Sequence, residues 1–467
     1  MKEITERKQF DRRVILYARI LASAAAAIAF TVYYVKEPHK YVWIDYAAPF
    51  ILCMFFTAVL VKCIPVIVEG ISPKSTEPPA VDGRTEKHMR IFIAIIVGSL
   101  LLHVLTMNIG VLLFRQTHAA YRNSGYFTLL RTAWMKSNTD VQHYLDIAEH
   151  WYVSDGEERL YIVFFPMFPL MVRGLNLIIG NSYASAQVIN TVASSLTAGI
   201  TYLTLLPDLG RKRSVCGAFI IQILPGAIFM NSPMSEPLFM LFSVCVFYFI
   251  NRKKLVIAGA FAALAGATRS LGLLLAVPIA YVGIGETTNC IKSGKPWKKS
   301  AAIILLSLAL SVLGTLWYLE INYTVHGDPF KFLEYQWSNW HQKASPFFDT
   351  ARYMLNRAID IKPDSINTII SLWLPQLTAI FVSLFIIGIF SKRIPAPQLA
   401  LFFPYFIVAI GCTWLLSAVR YLAALLPITT ALASVCDKPK NTIPLFVLLS
   451  MLYIGYMLMY MKRMSIY

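Results

Sequence analysis

Four short polar runs interrupt an otherwise apolar chain, and each carries side chains that move protons or bind anions. They hold Asp140 and His143 in DVQHYLDIAEHWY, Ser235 and Glu236 in NSPMSEPLFMLFS, Arg269 and Ser270 in ATRSLGLL, and Arg420 and Tyr421 in RYLAALLPI. A carboxylate with a histidine one helical turn away can serve as a general base that the imidazole orients or tunes. The alternative for that run is a solvated polar face on an interfacial helix. His143, Asp146 and His150 also share a helical face, which opens a metal reading, but no cysteine or HExxH spacing accompanies them. An arginine offers a planar fork that fits a phosphate. For Arg269 and Arg420 the plainer alternative is an interfacial arginine that snorkels to water. For Glu236 it is a carboxylate favoured at a helix start.

The elements that position these residues are membrane helices. The chain has 467 residues, 57% hydrophobic and only 14% charged. Soluble domains carry nearer a quarter charged residues. Apolar runs of roughly 20 residues, each long enough for a bilayer core, recur at 14–35, 44–69, 91–114, 183–206, 213–231, 234–251, 255–267, 271–285, 300–321, 366–390, 397–416, 419–436 and 442–461. No strand-like alternation competes, so the expected fold is all-α and polytopic, with about 11–13 transmembrane helices. The first apolar run is too long for a signal peptide and reads as an anchor helix. A polar linker with Pro73, Pro78, Pro79 and Gly83 closes an N-terminal two-helix unit, 1–90, ahead of a core at 91–440 and a last helix within 441–467. Two long regions do not span, 115–182 and 322–365. The seven cysteines are scattered and suggest neither zinc nor a redox pair.

The net charge of +17 fits topology better than nucleic-acid binding. Lys2, Arg7, Lys8, Arg12 and Arg13 place the N-terminus inside, and 115–182 then falls outside. Arg211–Arg213, Arg252–Lys254, Lys292–Lys299, Lys392–Arg393 and Lys438–Lys440 all fall inside if 160–180, with Pro166, Pro169 and Arg173, dips in and returns. Lys462 and Arg463 are the exceptions. In this topology the four polar runs gather at the extracytoplasmic face. Arg269 sits between two apolar stretches that are each short and jointly too long, which predicts a broken helix. No acidic residue lies within 255–285, so its expected counter-charge is an external anion, naturally a lipid phosphate.

Together the runs at 140–152, 164–169 (FFPMFP), 231–243, 267–274 and 420–428 resemble, in order and spacing, the PIG-V-like mannosyltransferases of the GT-C glycosyltransferase superfamily. The resemblance covers about 115–440. It departs from the family where Thr139, rather than Trp, precedes the aspartate. It implies a GT-C-type bundle with a large first extracytoplasmic loop, and a polyprenyl- or dolichyl-phosphate mannose donor. The acceptor would be a glycolipid or glycan hydroxyl. Asp140 would be the catalytic base with His143 beside it, Arg269, Ser270 and Arg420 would hold the donor phosphate, and Ser235, Glu236 and Tyr421 would hold sugar or acceptor. No metal or other cofactor is required, and the sequence has no DxD. The chain would sit in the plasma membrane of a bacterium or the endoplasmic reticulum of a eukaryote. A lipid or sugar-lipid flippase is the rival. It would show intramembrane arginines and broken helices too, but with polar residues near the midplane and paired repeats.

Overall fold

Runs of Leu, Ile, Val, Phe and Ala with no room for exposed backbone force helix on this chain. A computed structural model describes residues 2–36, 43–71, 86–135, 139–361 and 365–467. The helices are α1 (Lys2–Lys36), α2 (Ile44–Ile71), α3 (Glu86–Thr117), α4 (Tyr126–Trp134), α5 (Val141–His150), α6 (Met167–Ile179), α7 (Ser182–Ile223), α8 (Glu236–Asn251), α9 (Leu255–Thr268), α10 (Ala276–Lys292), α11 (Trp297–His326), α12 (Lys331–Ser338), α13 (Asp349–Ile359), α14 (Ile366–Arg393), α15 (Ala396–Ile410), α16 (Ala418–Ala423), α17 (Leu426–Ala433) and α18 (Pro439–Met461).

Among the described residues eight helices are long and apolar enough to cross a bilayer, or ten if each of two sharply bent pairs counts as one span. The chain is an integral, multi-pass membrane protein. The expected count of 11–13 came from dividing the sequence differently. The runs at 183–206 and 213–231 are counted together in α7, but the chain breaks at Gly210, where φ is 73° and ψ is 171°. The two arms fold back on each other, with Gln222 donating to the Ser194 carbonyl at 3.0 Å, and 225–231 is a separate short segment. The run at 419–436 is two short helices, α16 and α17. The expected spans α9 and α15 are shorter apolar helices. Most of the polar linker, 72–85, lies outside the described residues. The 160–180 region is bent by 114° between a short 3₁₀ segment, Glu157–Val163, and α6, so it is no straight span.

The N-terminal unit is not a separate body. Phe56 of α2 packs on Phe347, Phe403 and Phe406, and Tyr281 of α10 donates to the Ile67 carbonyl. Tyr33 of α1 donates to Asp349, and Asn356 donates to Asp45 at 2.7 Å, so α13 of the second long loop ties down both helices of the pair.

α9 and α11 are in backbone contact, and α9 ends at Arg269. A Cβ on Gly314 would lie 1.8 Å from the Ala263 carbonyl oxygen, so only glycine lets the two axes approach this closely. Gly314→Ala should therefore cost about 1–3 kcal/mol through overpacking. Thermal unfolding in detergent, with Gly455→Ala as the control that meets nothing within 4 Å, reads this directly.

Candidate active site

The residue that starts α5 is Asp140, and the stripe Val141, Tyr144, Leu145, Ala148 and Tyr152 is buried as its spacing predicts. The Tyr144 ring meets Phe164 and Phe168 edge-on, each with centroids 5.3 Å apart. The Tyr152 hydroxyl donates to the Phe164 carbonyl at 2.6 Å. The helix is thus fixed on the bent segment beneath it. Asp140 does not cap its own helix, leaving its carboxylate free to reach across the fold.

Its partner is Arg420, 280 residues away, whose Nη2 donates to Asp140 Oδ2 at 3.0 Å. Arg420 sits on α16, held from two sides. The Tyr405 hydroxyl donates to the Tyr421 carbonyl at 3.2 Å, and the Ala418 amide donates to Gln376. Pro225–Asn231 lies directly on α16 because residue 226 is glycine; a Cβ there would stand 2.4 Å from the Val419 carbonyl oxygen. After this segment the chain bends by 112° into α8, whose first residue is Glu236.

Glu236 is the centre of the charge network. Its Oε1 accepts from Arg269 Nη1 and lies 2.9 Å from Arg420 Nε. The Arg420 Nε–H is not aimed along that line, so this second contact is charge against charge and the N–H keeps no hydrogen-bond acceptor. Glu236 Oε2 is likewise buried with no hydrogen-bond donor. Arg269 also donates to Ser235 Oγ at 3.1 Å, and Ser235 shares a 2.9 Å hydrogen bond with the Tyr144 hydroxyl. The Tyr421 ring lies beneath both guanidinium groups, 5.1 Å from Arg269 and 5.6 Å from Arg420. Arg269 is presented by a chain reversal: α9 stops, residue 269 is extended, and Ser270–Leu275 turns back as a 3₁₀ helix.

Asp140, Ser235, Glu236, Arg269, Arg420 and Tyr421, drawn from four separate runs, therefore converge. Ser270 is exposed and outside the network. One expectation needs correction. Arg269 does not lack a local counter-charge, because Glu236 supplies one from α8; a search for acids within 255–285 could not see a carboxylate 33 residues upstream. His143 makes no hydrogen bond to Asp140. Its ring lies between Tyr161 and Phe164, at 4.4 and 5.0 Å between centroids, with Nδ1 unpartnered. Burial lowers its pKa, against the pull of Asp140 and Asp146. His150 pairs with Asp146 at 3.1 Å, and among the described residues no three metal-ligating groups converge, so the shared face at 143, 146 and 150 does not become a metal centre.

Sequence reasoning missed Tyr144 as a polar contributor, because the stripe it belongs to looked purely apolar. A cavity of about 1240 Å3 between α3, α4 and α7 is lined by none of the network residues. The network itself is closed. The Arg420 and Glu236 side chains are 6% and 5% exposed, and Asp140, at 28%, is its open end.

Residues 165–314 match the family model described as dolichyl-phosphate-mannose-protein mannosyltransferase. Ser235, Glu236 and Arg269 fall inside the match, Asp140 and Arg420 outside it. The GPI alpha-1,6-mannosyltransferase 2 of Mus musculus is 26% identical over 190 residues, covering 38% of this chain. That alignment spans only 37% of the mouse protein's length. Among solved structures, ArnT from Cupriavidus metallidurans bound to undecaprenyl phosphate superposes with a TM-score of 0.45 at 14% identity, covering 74% of this chain and 62% of its own. The archaeal oligosaccharyltransferase AglB from Archaeoglobus fulgidus, in complex with an inhibitory peptide and a dolichol-phosphate, gives 0.39 at 14% identity, covering 78% and 56%. Over residues 165–314 the chain is therefore similar to the dolichyl-phosphate-mannose-protein mannosyltransferase family, and it is a distant relative of GPI alpha-1,6-mannosyltransferase 2.

Proposed function

We propose that this protein transfers a mannosyl group, with inversion, from a polyprenyl- or dolichyl-phosphate donor to a hydroxyl of a glycolipid or glycan at the extracytoplasmic face. The observation that carries the reading is a pair of guanidinium groups brought together beside one partly open carboxylate, with an Arg420 N–H still lacking an acceptor. An anion of tetrahedral shape can use that N–H and the fork of Arg269 together. Asp140 takes the proton of the acceptor hydroxyl as its oxygen attacks the anomeric carbon. The bond from that carbon to the phosphate oxygen breaks, and the lipid phosphate leaves with the electron pair. Arg269 and Arg420 stabilise the charge that gathers there, which is the electrostatic part of the catalysis. Glu236 holds the two arginines, and its free Oε2 accepts a sugar hydroxyl. His143, neutral between two aromatic rings, lines the approach to Asp140.

The direct test is purified protein with labelled polyprenyl-phosphate sugars and a panel of lipid and glycan acceptors. Transfer of mannose with inversion is the expected result. Movement of intact donor across a vesicle, without transfer to any acceptor, would replace the enzyme with a flippase.

The face of the site has its own test. The bend before α6, its Pro166 and Pro169, and the basic joints downstream all suit an even number of crossings between 156 and 181. Cysteines placed at Gly156 and Asn181 should both label from the extracytoplasmic side. Labelling of position 181 only from the cytoplasm would put α7 and every later joint on the opposite side.

A further inference from the structure

We infer that the Asp140–Arg420 ion pair is a latch which the donor's phosphate opens, so that the base is freed only once the donor is seated. The inference rests on the proposed function. Its own ground is the charge balance of the site: two guanidinium groups, Arg269 and Arg420, face two carboxylates, Glu236 and Asp140. An arriving phosphodiester adds one negative charge to a set already balanced, in surroundings where a surplus charge is costly. It therefore binds by taking an arginine contact away from a carboxylate.

The two carboxylates are not equally easy to displace. Glu236 is enclosed, touches both arginines through one oxygen, and would become an unpaired buried charge if pushed off. Asp140 touches only Arg420, through one hydrogen bond, and its side chain is the most exposed of the four charged ones. It stands at the start of α5, at the open end of the network. The exchange that costs least is phosphate for Asp140 on Arg420.

Paired to Arg420, Asp140 has an oxygen engaged by the guanidinium and not turned to an acceptor hydroxyl. Released, it takes the acceptor's proton while that oxygen bonds to the anomeric carbon and the lipid phosphate departs with its bonding electrons. The protonated carboxyl then loses its proton to water and pairs with Arg420 again as the lipid phosphate leaves. The order keeps the carboxylate engaged until the donor is seated.

Competition for Arg420 has a consequence that a simple base lacks. Asp140→Asn removes the competing charge, so it should bind free polyprenyl phosphate more tightly than the parent, by about five-fold or more, in the range of intramolecular couplings. The measurement is titration of polyprenyl phosphate into detergent-solubilised protein, with uncharged polyprenol as the second ligand. Polyprenol affinity should be the same in parent and variant. Equal or weaker phosphate binding by the Asn variant, with polyprenol binding intact, overturns the latch and leaves the proposed function standing. A parent that binds polyprenyl phosphate no better than polyprenol overturns both.

Discussion

Asp140→Asn should lower mannosyl transfer by about 100-fold or more, the scale on which loss of a general base is felt. The protein should still be made and inserted. The reason for expecting both is visible in how the residue is held. Asp140 is not part of the α5 cap, and the stripe from Val141 to Tyr152 anchors the helix without it. The Asn side chain keeps the shape and can still accept a hydrogen bond from Arg420. What it cannot do is take a proton from an attacking hydroxyl. Single-turnover transfer, with membrane yield and thermal stability measured on the same preparation, separates chemistry from folding. Near-parental turnover in a well-folded Asn variant would end the assignment of Asp140 as base.

The site was unusually legible because charge inside apolar sequence is expensive and therefore conspicuous. Asp140, Glu236, Arg269 and Arg420 each interrupt hydrophobic runs, and the broken helix around Arg269 could be read from stretches too short and too long to span. What stayed hidden was pairing across the chain. Nothing local to Arg269 points to Glu236, nothing local to Asp140 points to Arg420, and Tyr33 and Asp349 are 316 residues apart. The boundaries of the helices were hidden for a different reason. The polar joint LPDLGRKR reads as a loop between two spans, and the chain does break there, but helix runs up to Gly210 from both sides and the reversal is confined to that residue. The run at 419–436 was uniformly apolar, which gives no sign of the break at Ala424 and Leu425.

The largest effect should come from Arg420. Its guanidinium reaches Asp140 through Nη2 and lies against Glu236 through Nε, so one side chain joins α5 to α8 by way of α16. Arg420→Ala leaves Glu236 with Arg269 alone and Asp140 with nothing. Removing one partner from a buried pair costs about 3–5 kcal/mol, so the variant should melt at a lower temperature. Its transfer should fall by roughly 1000-fold, as when a charge-stabilising donor is lost. Because part of that loss could come from misfolding, Arg420→Lys is the informative companion. Lysine keeps the positive charge, and Glu236 and Asp140 stay neutralised. It is a single point charge, however, and cannot address two partners and a phosphate from separate N–H groups. The Lys variant should be close to parental in stability and still bind polyprenyl phosphate, while its transfer rate drops well below the parent's. A Lys variant with full transfer would mean that only the charge matters, and that the two-sided fork seen between Asp140 and Glu236 serves the fold rather than the reaction.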